Sequence, residues 1–165
     1  MRSLMKQRKE NYEYLKKELT TVLALYGERC LETKNNKISV ACTLTALNEK
    51  VFVPQGISAT FFGSYLFSRR VSGVRVVASS QGKQTNINGS LFANYGSHSD
   101  AYPHLPYFTA AASVGQTKED VALFIARLRE AFEHFLKQDP SKLLLQQQML
   151  MLAIEKQQEE EKKKE

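Results

Sequence analysis

Phe67-Ser68-Arg69-Arg70-Val71-Ser72-Gly73-Val74-Arg75-Val76-Val77 joins a helical pattern to a strand pattern across a glycine break. Upstream, Ile57 to Arg70 carries Phe61, Phe62, Tyr65 and Leu66 at helical spacing. Val71-Ser72-Gly73 interrupts that stripe, and Val74-Arg75-Val76-Val77 is β-branched enough for a short strand. Arg69, Arg70 and Arg75 put three guanidinium groups within seven residues of the joint. Each planar fork can hold a phosphate or read a guanine edge with two hydrogen bonds. The structural alternative is that these arginines pair with acids elsewhere in the fold or fit a subunit interface.

The same alternation continues outward. Residues 1–30 read as one long helix, with Leu4, Tyr12, Leu15, Leu19, Val22, Leu23 and Tyr26 at three- and four-residue steps. Arg2, Lys6, Arg8 and Lys9 oppose the positive end of the helix dipole, which predicts a helix beginning upstream of Met1 or an exposed helical start. Ile38 to Leu44 alternates large and small side chains and predicts a strand; a loop with Pro54 and Gly56 follows. Ser79 to Pro106 is rich in Ser, Gly, Asn and Pro and predicts turns and loops, with Asn88-Gly89 as a tight turn. Tyr107 to Val114 predicts a last strand. Thr117-Lys118-Glu119-Asp120 resembles a capping box opening a helix on Val121, Phe124, Ile125, Leu128, Phe132 and Phe135, which Asp139-Pro140 ends. Leu143 to Ile154 starts another helix that runs into a charged tail. The predicted architecture is α+β: a long entry helix, a sheet of about three strands and flanking helices.

Composition narrows the function. A net charge of +6 favours anionic partners, and no Asp or Glu occurs from Lys50 through Ser99, where Arg69, Arg70, Arg75 and Lys83 fall. A buried segment would also lack acids. No apolar run approaches the ~18 residues of a membrane span, and the N-terminus lacks a signal peptide's apolar core. A reduced cytosol is the default compartment. Cys30 and Cys42 fit no metal or redox spacing, and no Gly-rich phosphate loop is present. His98 has only nearby Asp100 to orient it for acid–base work; a loop histidine that hydrogen-bonds or touches RNA is the simpler expectation. His134 is expected on a helix surface.

The Phe67 to Val77 stretch also resembles a segment of the O-phosphoseryl-tRNA(Sec) selenium transferases, "F-T-R-x-V-S-G-A-R-V-V". Collinear similarities lie at Leu4 to Glu10, Ile38 to Leu44, Gly96-Ser97-His98 with Tyr102-Pro103, and Asp120 to Leu128. The resemblance implies the C-terminal small domain of a fold-type-I transferase dependent on pyridoxal 5′-phosphate, working as a cytoplasmic homotetramer on tRNA(Sec) with selenophosphate as co-substrate. It divides the chain into a helix continuing from a missing cofactor domain (1–33), the small domain (34–138) and a helical charged tail (139–165). The Schiff-base lysine of the family lies upstream of the matching segment, and Lys83 matches no lysine motif, so no catalytic, cofactor or metal residue carries over and the isolated piece is expected to be inactive. Arg69 matches an arginine that reads the discriminator base, and Lys137 a lysine that touches tRNA; Arg70 and Arg75 are added as tRNA-binding candidates. Ala93 stands where the family usually has Arg, and Arg70 departs from the family pattern. The competing expectation is a non-catalytic RNA-binding or assembly module.

Overall fold

In the computed structural model, which describes residues 2–78, 84–93 and 105–137, helix and strand alternate. Helix α1 runs Arg2–Ala24 and buries Asn11, Tyr12, Leu15, Leu19, Val22 and Leu23. Leu4 and Met5 are exposed, so its buried stripe begins a helical turn or two later than the spacing predicts. Buried Asn11 is satisfied by donating to the Gln116 carbonyl. The helix also stops earlier than expected. Gly27 takes φ +76°, Glu28 N–H donates to the Leu23 carbonyl at 3.0 Å and Gly27 N–H to that of Ala24 at 3.4 Å. That is a Schellman closure, for which glycine is the favoured residue.

Strand β1 (Ser39–Thr43) follows. Beyond it, Thr45 to Phe52 do not form the loop expected there: a short helix α2 (Thr45–Leu47) leads into a π-helical turn over Asn48–Phe52. No side chain of its own caps α2. Glu28 does so from a distance, accepting from Thr45 N–H at 3.0 Å, Leu47 N–H at 2.9 Å and the Thr43 hydroxyl. A carboxylate at a helix start is favoured by the orphan N–H groups there, and its donors make its burial tolerable.

Helix α3 (Thr60–Ser68) precedes β2 (Arg75–Val77), and β5 (Tyr107–Ala111) lies between β1 and β2 in an antiparallel sheet of order β1-β5-β2. The register sets Val40 opposite Ala110, and Cys42 opposite Phe108, which also faces Val76. Val40, Cys42, Phe108 and Ala110 are all buried, as a two-residue period requires. Between β2 and β5, β3 (Gln84–Ile87) and β4 (Ser90–Ala93) form a separate hairpin. Asn88 (φ 49°) and Gly89 (φ 83°) make its two-residue turn, both left-handed as a type I′ turn demands. Only that turn was expected. The strands lack a hydrophobic alternation because most of their side chains face solvent.

Helix α4 (Lys118–Lys137) closes the core. Asp120 N–H donates to Thr117 Oγ1 at 3.2 Å and Thr117 N–H donates to Asp120 Oδ2 at 2.9 Å, so the capping box forms with Asp in the place usual for Glu. Thr117→Ala should cost about 1 kcal/mol of stability, read as a lower urea midpoint with unchanged slope. Val121, Leu128, Ala131, Phe132 and Phe135 are buried, while Phe124 and Ile125 are half-buried. They meet Leu15, Leu19, Leu23, Phe62 and Leu66 in one core. The expected stop at Pro140 and the helix from Leu143 lie outside the described residues.

Candidate nucleic-acid interface

The C-terminal end of α3 is built like that of α1, with one difference. Val71 N–H donates to the Leu66 carbonyl at 3.0 Å and Arg70 N–H to that of Phe67 at 2.9 Å, and Leu66 and Val71 are both buried. This is again a Schellman closure with its apolar contact, but the left-handed position is Arg70, at φ 61°. A residue with a Cβ is strained there by roughly 1–2 kcal/mol. Arg127 of α4 donates from Nη1 to the Arg70 carbonyl at 3.2 Å, tying the turn to the neighbouring helix.

The turn leaves both arginine side chains in solvent. Arg69 lies with its guanidinium 5.0 Å from the centre of the Tyr65 ring, a cation–π arrangement. On Tyr65 the imidazole of His134 stacks at 4.4 Å and 16°. Arg69, Tyr65 and His134 thus form a stack joining α3 to α4. His134 is half-buried rather than a free surface residue, a correction to the expectation from sequence. Burial, and then the Arg69 charge, hold its pKa below the ordinary histidine value, favouring the neutral ring. Among the described residues Arg69 pairs with no carboxylate and rests on the Tyr65 ring.

Lys137 lies one turn beyond His134 on α4, and its Nζ is 3.3 Å from Glu133 Oε2. Both partners are solvent-accessible, so a phosphate can displace that pair at little cost. Arg75 occupies a different element, the start of β2, where it is exposed and in register with Thr109. The structure therefore brings Arg69 and Arg70 together at the end of α3, where α4 approaches through Arg127; Lys137 lies ten residues further along α4, and Arg75 on β2. Arg127, Tyr65 and His134 escape sequence reasoning because their roles depend on α3 crossing α4, which no local spacing encodes. Lys83, His98 and His104 lie outside the described residues.

Every described lysine is exposed; Lys16, Lys34 and Lys37 line an open surface cleft beside α1. The described residues therefore offer no buried lysine to hold pyridoxal 5′-phosphate. They also hold no cluster of three metal-ligating side chains, and no helix among them is long and apolar enough to cross a membrane.

Against known proteins, residues 1–133 match the family model described as O-phosphoseryl-tRNA(Sec) selenium transferase, SepSecS. The Dictyostelium discoideum protein of that name is 37% identical over 139 residues, covering 79% of this chain and 29% of the relative. Its Caenorhabditis briggsae counterpart is 34% identical over 132 residues, 80% of this chain and 26% of the relative. The crystal structure of an archaeal O-phosphoseryl-tRNA(Sec) selenium transferase superposes with a TM-score of 0.55 at 16% identity, over 78% of this chain and 24% of that one. The fold, an α+β unit of helices on a small sheet, is thus shared, and the chain spans a little over a quarter of the length of these curated relatives. With its first 133 residues matched and identity above 30% to both relatives, this chain belongs to the O-phosphoseryl-tRNA(Sec) selenium transferase family.

Proposed function

We propose that this chain is the C-terminal part of an enzyme converting O-phosphoseryl-tRNA(Sec) to selenocysteinyl-tRNA(Sec) with selenophosphate, and that its own task is to hold the tRNA acceptor arm. In this proposal residues 1–33 continue from a cofactor domain, 34–138 form the small domain of a fold-type-I enzyme, and 139–165 are an appended tail. The whole enzyme is a cytoplasmic homotetramer. Pyridoxal 5′-phosphate supplies an electron sink to such an enzyme, and the exposure of every described lysine supports placing its lysine outside the described residues.

One observation carries the RNA assignment: the Arg69 fork projects from a helix end, braced by the Tyr65 ring and unpaired with any described carboxylate. A solvated, pre-oriented guanidinium gives up little on meeting an acceptor pair on a base edge. Arg70 adds charge at the same helix end, and exposed Lys137 on α4 and Arg75 on β2 are further cations for the phosphates of a long acceptor arm. The left-handed conformation of Arg70 supports a use for its side chain, since glycine would suit that backbone better.

The roles separate experimentally. In the full-length enzyme, Arg70→Gln should weaken binding of tRNA(Sec) and of a variant with an altered discriminator base alike. It should also lower the slope of log K against log salt by about one. An unchanged slope would remove Arg70 from the interface.

A further inference from the structure

Cys30 and Cys42, twelve positions apart in sequence, meet across a strand pair. After the Gly27 turn, residues 29–31 run antiparallel to β1, with Leu31 N–H donating to the Ala41 carbonyl at 2.8 Å and Thr43 N–H to the Arg29 carbonyl at 2.9 Å. Those bonds flank Cys30 and Cys42 rather than join them, so the two form a non-hydrogen-bonded antiparallel pair. At such pairs the Cα atoms approach to about 4.5 Å and the side chains lie on the same face, inside the range that a disulfide spans. Facing each other across the bridge, the two thiols are near enough for each to shift the other's ionisation.

The two sulfurs are unequal. Cys30 is half-exposed at the edge of α1, within 3.5 Å of the Thr20 hydroxyl, whereas Cys42 is fully buried. The contact with Cys42 pulls the Cys30 thiol down to about 6 against an opposing effect of burial, with Thr20 and the positive charge of Lys16 helping. The same contact, burial and the Glu28 carboxylate push the Cys42 thiol up. The more accessible sulfur is therefore the one that ionises more readily, and it faces a buried thiol.

We infer that Cys30 and Cys42 are a thiol-exchange site, which takes a low-molecular-weight disulfide such as glutathione disulfide and closes to an intramolecular disulfide. In the first step the Cys30 thiolate attacks one glutathione sulfur; the S–S bond of glutathione breaks, a Cys30–glutathione disulfide forms, and one glutathione thiolate leaves. In the second, the Cys42 sulfur attacks the Cys30 sulfur, the Cys30–glutathione S–S bond breaks, and the Cys42 proton passes to the departing glutathione thiolate. The two cysteines are oxidised by two electrons, glutathione disulfide is reduced to two glutathiones, and the two cysteine protons balance the two leaving thiolates. Closure staples the segment bearing Glu28, the cap of α2, to the central sheet.

The test uses the full-length protein, folded, with glutathione disulfide as the oxidant, followed by peptide mass mapping. The expected product is a Cys30–Cys42 cross-linked peptide pair about 2 Da lighter than the dithiol. Cys42→Ala should stop at a mixed disulfide on Cys30, about 305 Da heavier. Closure in the folded protein should also be at least ~10-fold more favourable, relative to glutathione, than in urea. A wild-type protein that stays unmodified, accumulates the mixed disulfide at Cys30, or links Cys30 only between chains would overturn the assignment. So would closure less favourable folded than in urea, and these wild-type readouts decide the matter even if Cys42→Ala does not fold.

Discussion

Arg69→Ala in the full-length enzyme is expected to lower kcat/KM for O-phosphoseryl-tRNA(Sec) by roughly 5- to 150-fold, equivalent to about 1–3 kcal/mol, the worth of a bidentate base contact. The side chain is exposed and, among the described residues, packs on the Tyr65 ring, so the fold should be unaffected and the loss should fall on tRNA recognition. Arg69→Lys keeps the charge but removes the fork, and should recover little of the loss on the cognate tRNA. A variant tRNA with a changed discriminator base should then be used nearly as well as the cognate one. Steady-state kinetics on the two tRNAs distinguish these outcomes; an Arg69→Ala enzyme with undiminished kcat/KM would dismiss the arginine as a base reader.

Phe132→Ala should have the largest effect on stability, about 3–5 kcal/mol. The ring is fully buried, stacked on Tyr26 at 4.7 Å and 7° and tilted against Phe62 at 5.1 Å. It therefore joins the end of α1, α3 and α4, and a cavity there cannot be filled without shifting a helix. Denaturant unfolding monitored by circular dichroism measures the loss, and a drop under about 1 kcal/mol would place the ring outside the core. Because Arg127 and His134 reach the α3 turn from the same helix, this variant should also blunt tRNA binding although residue 132 cannot touch RNA.

Where burial is periodic, the elements were legible from the residues alone. Leu15, Leu19 and Leu23 announce α1, Val40 and Cys42 announce β1, and Thr117 with Asp120 marks the start of α4. The hairpin was not legible beyond its turn, because Thr85 is half-buried and its described neighbours exposed, leaving no period to read. The π-helical turn over Asn48–Phe52 was missed for another reason: α2 depends on Glu28, a cap remote in sequence. For the interface, the arginine cluster was visible as composition. Its geometry was not, since the Tyr65–His134 stack and the Arg127 tie arise only where two helices cross. The cysteines show the same limit: a spacing that suggests nothing becomes a cross-strand pair once Gly27 reverses the chain.

The backbone of Arg70 sets durability and affinity against each other. Three chain reversals here share one hydrogen-bonding scheme, and at Gly27 and Gly56 the left-handed residue is the one that suits it best. At the third, glycine would relax the turn but remove a positive charge from the helix tip, so the sturdiest version of this chain and its best RNA-holding version are different sequences.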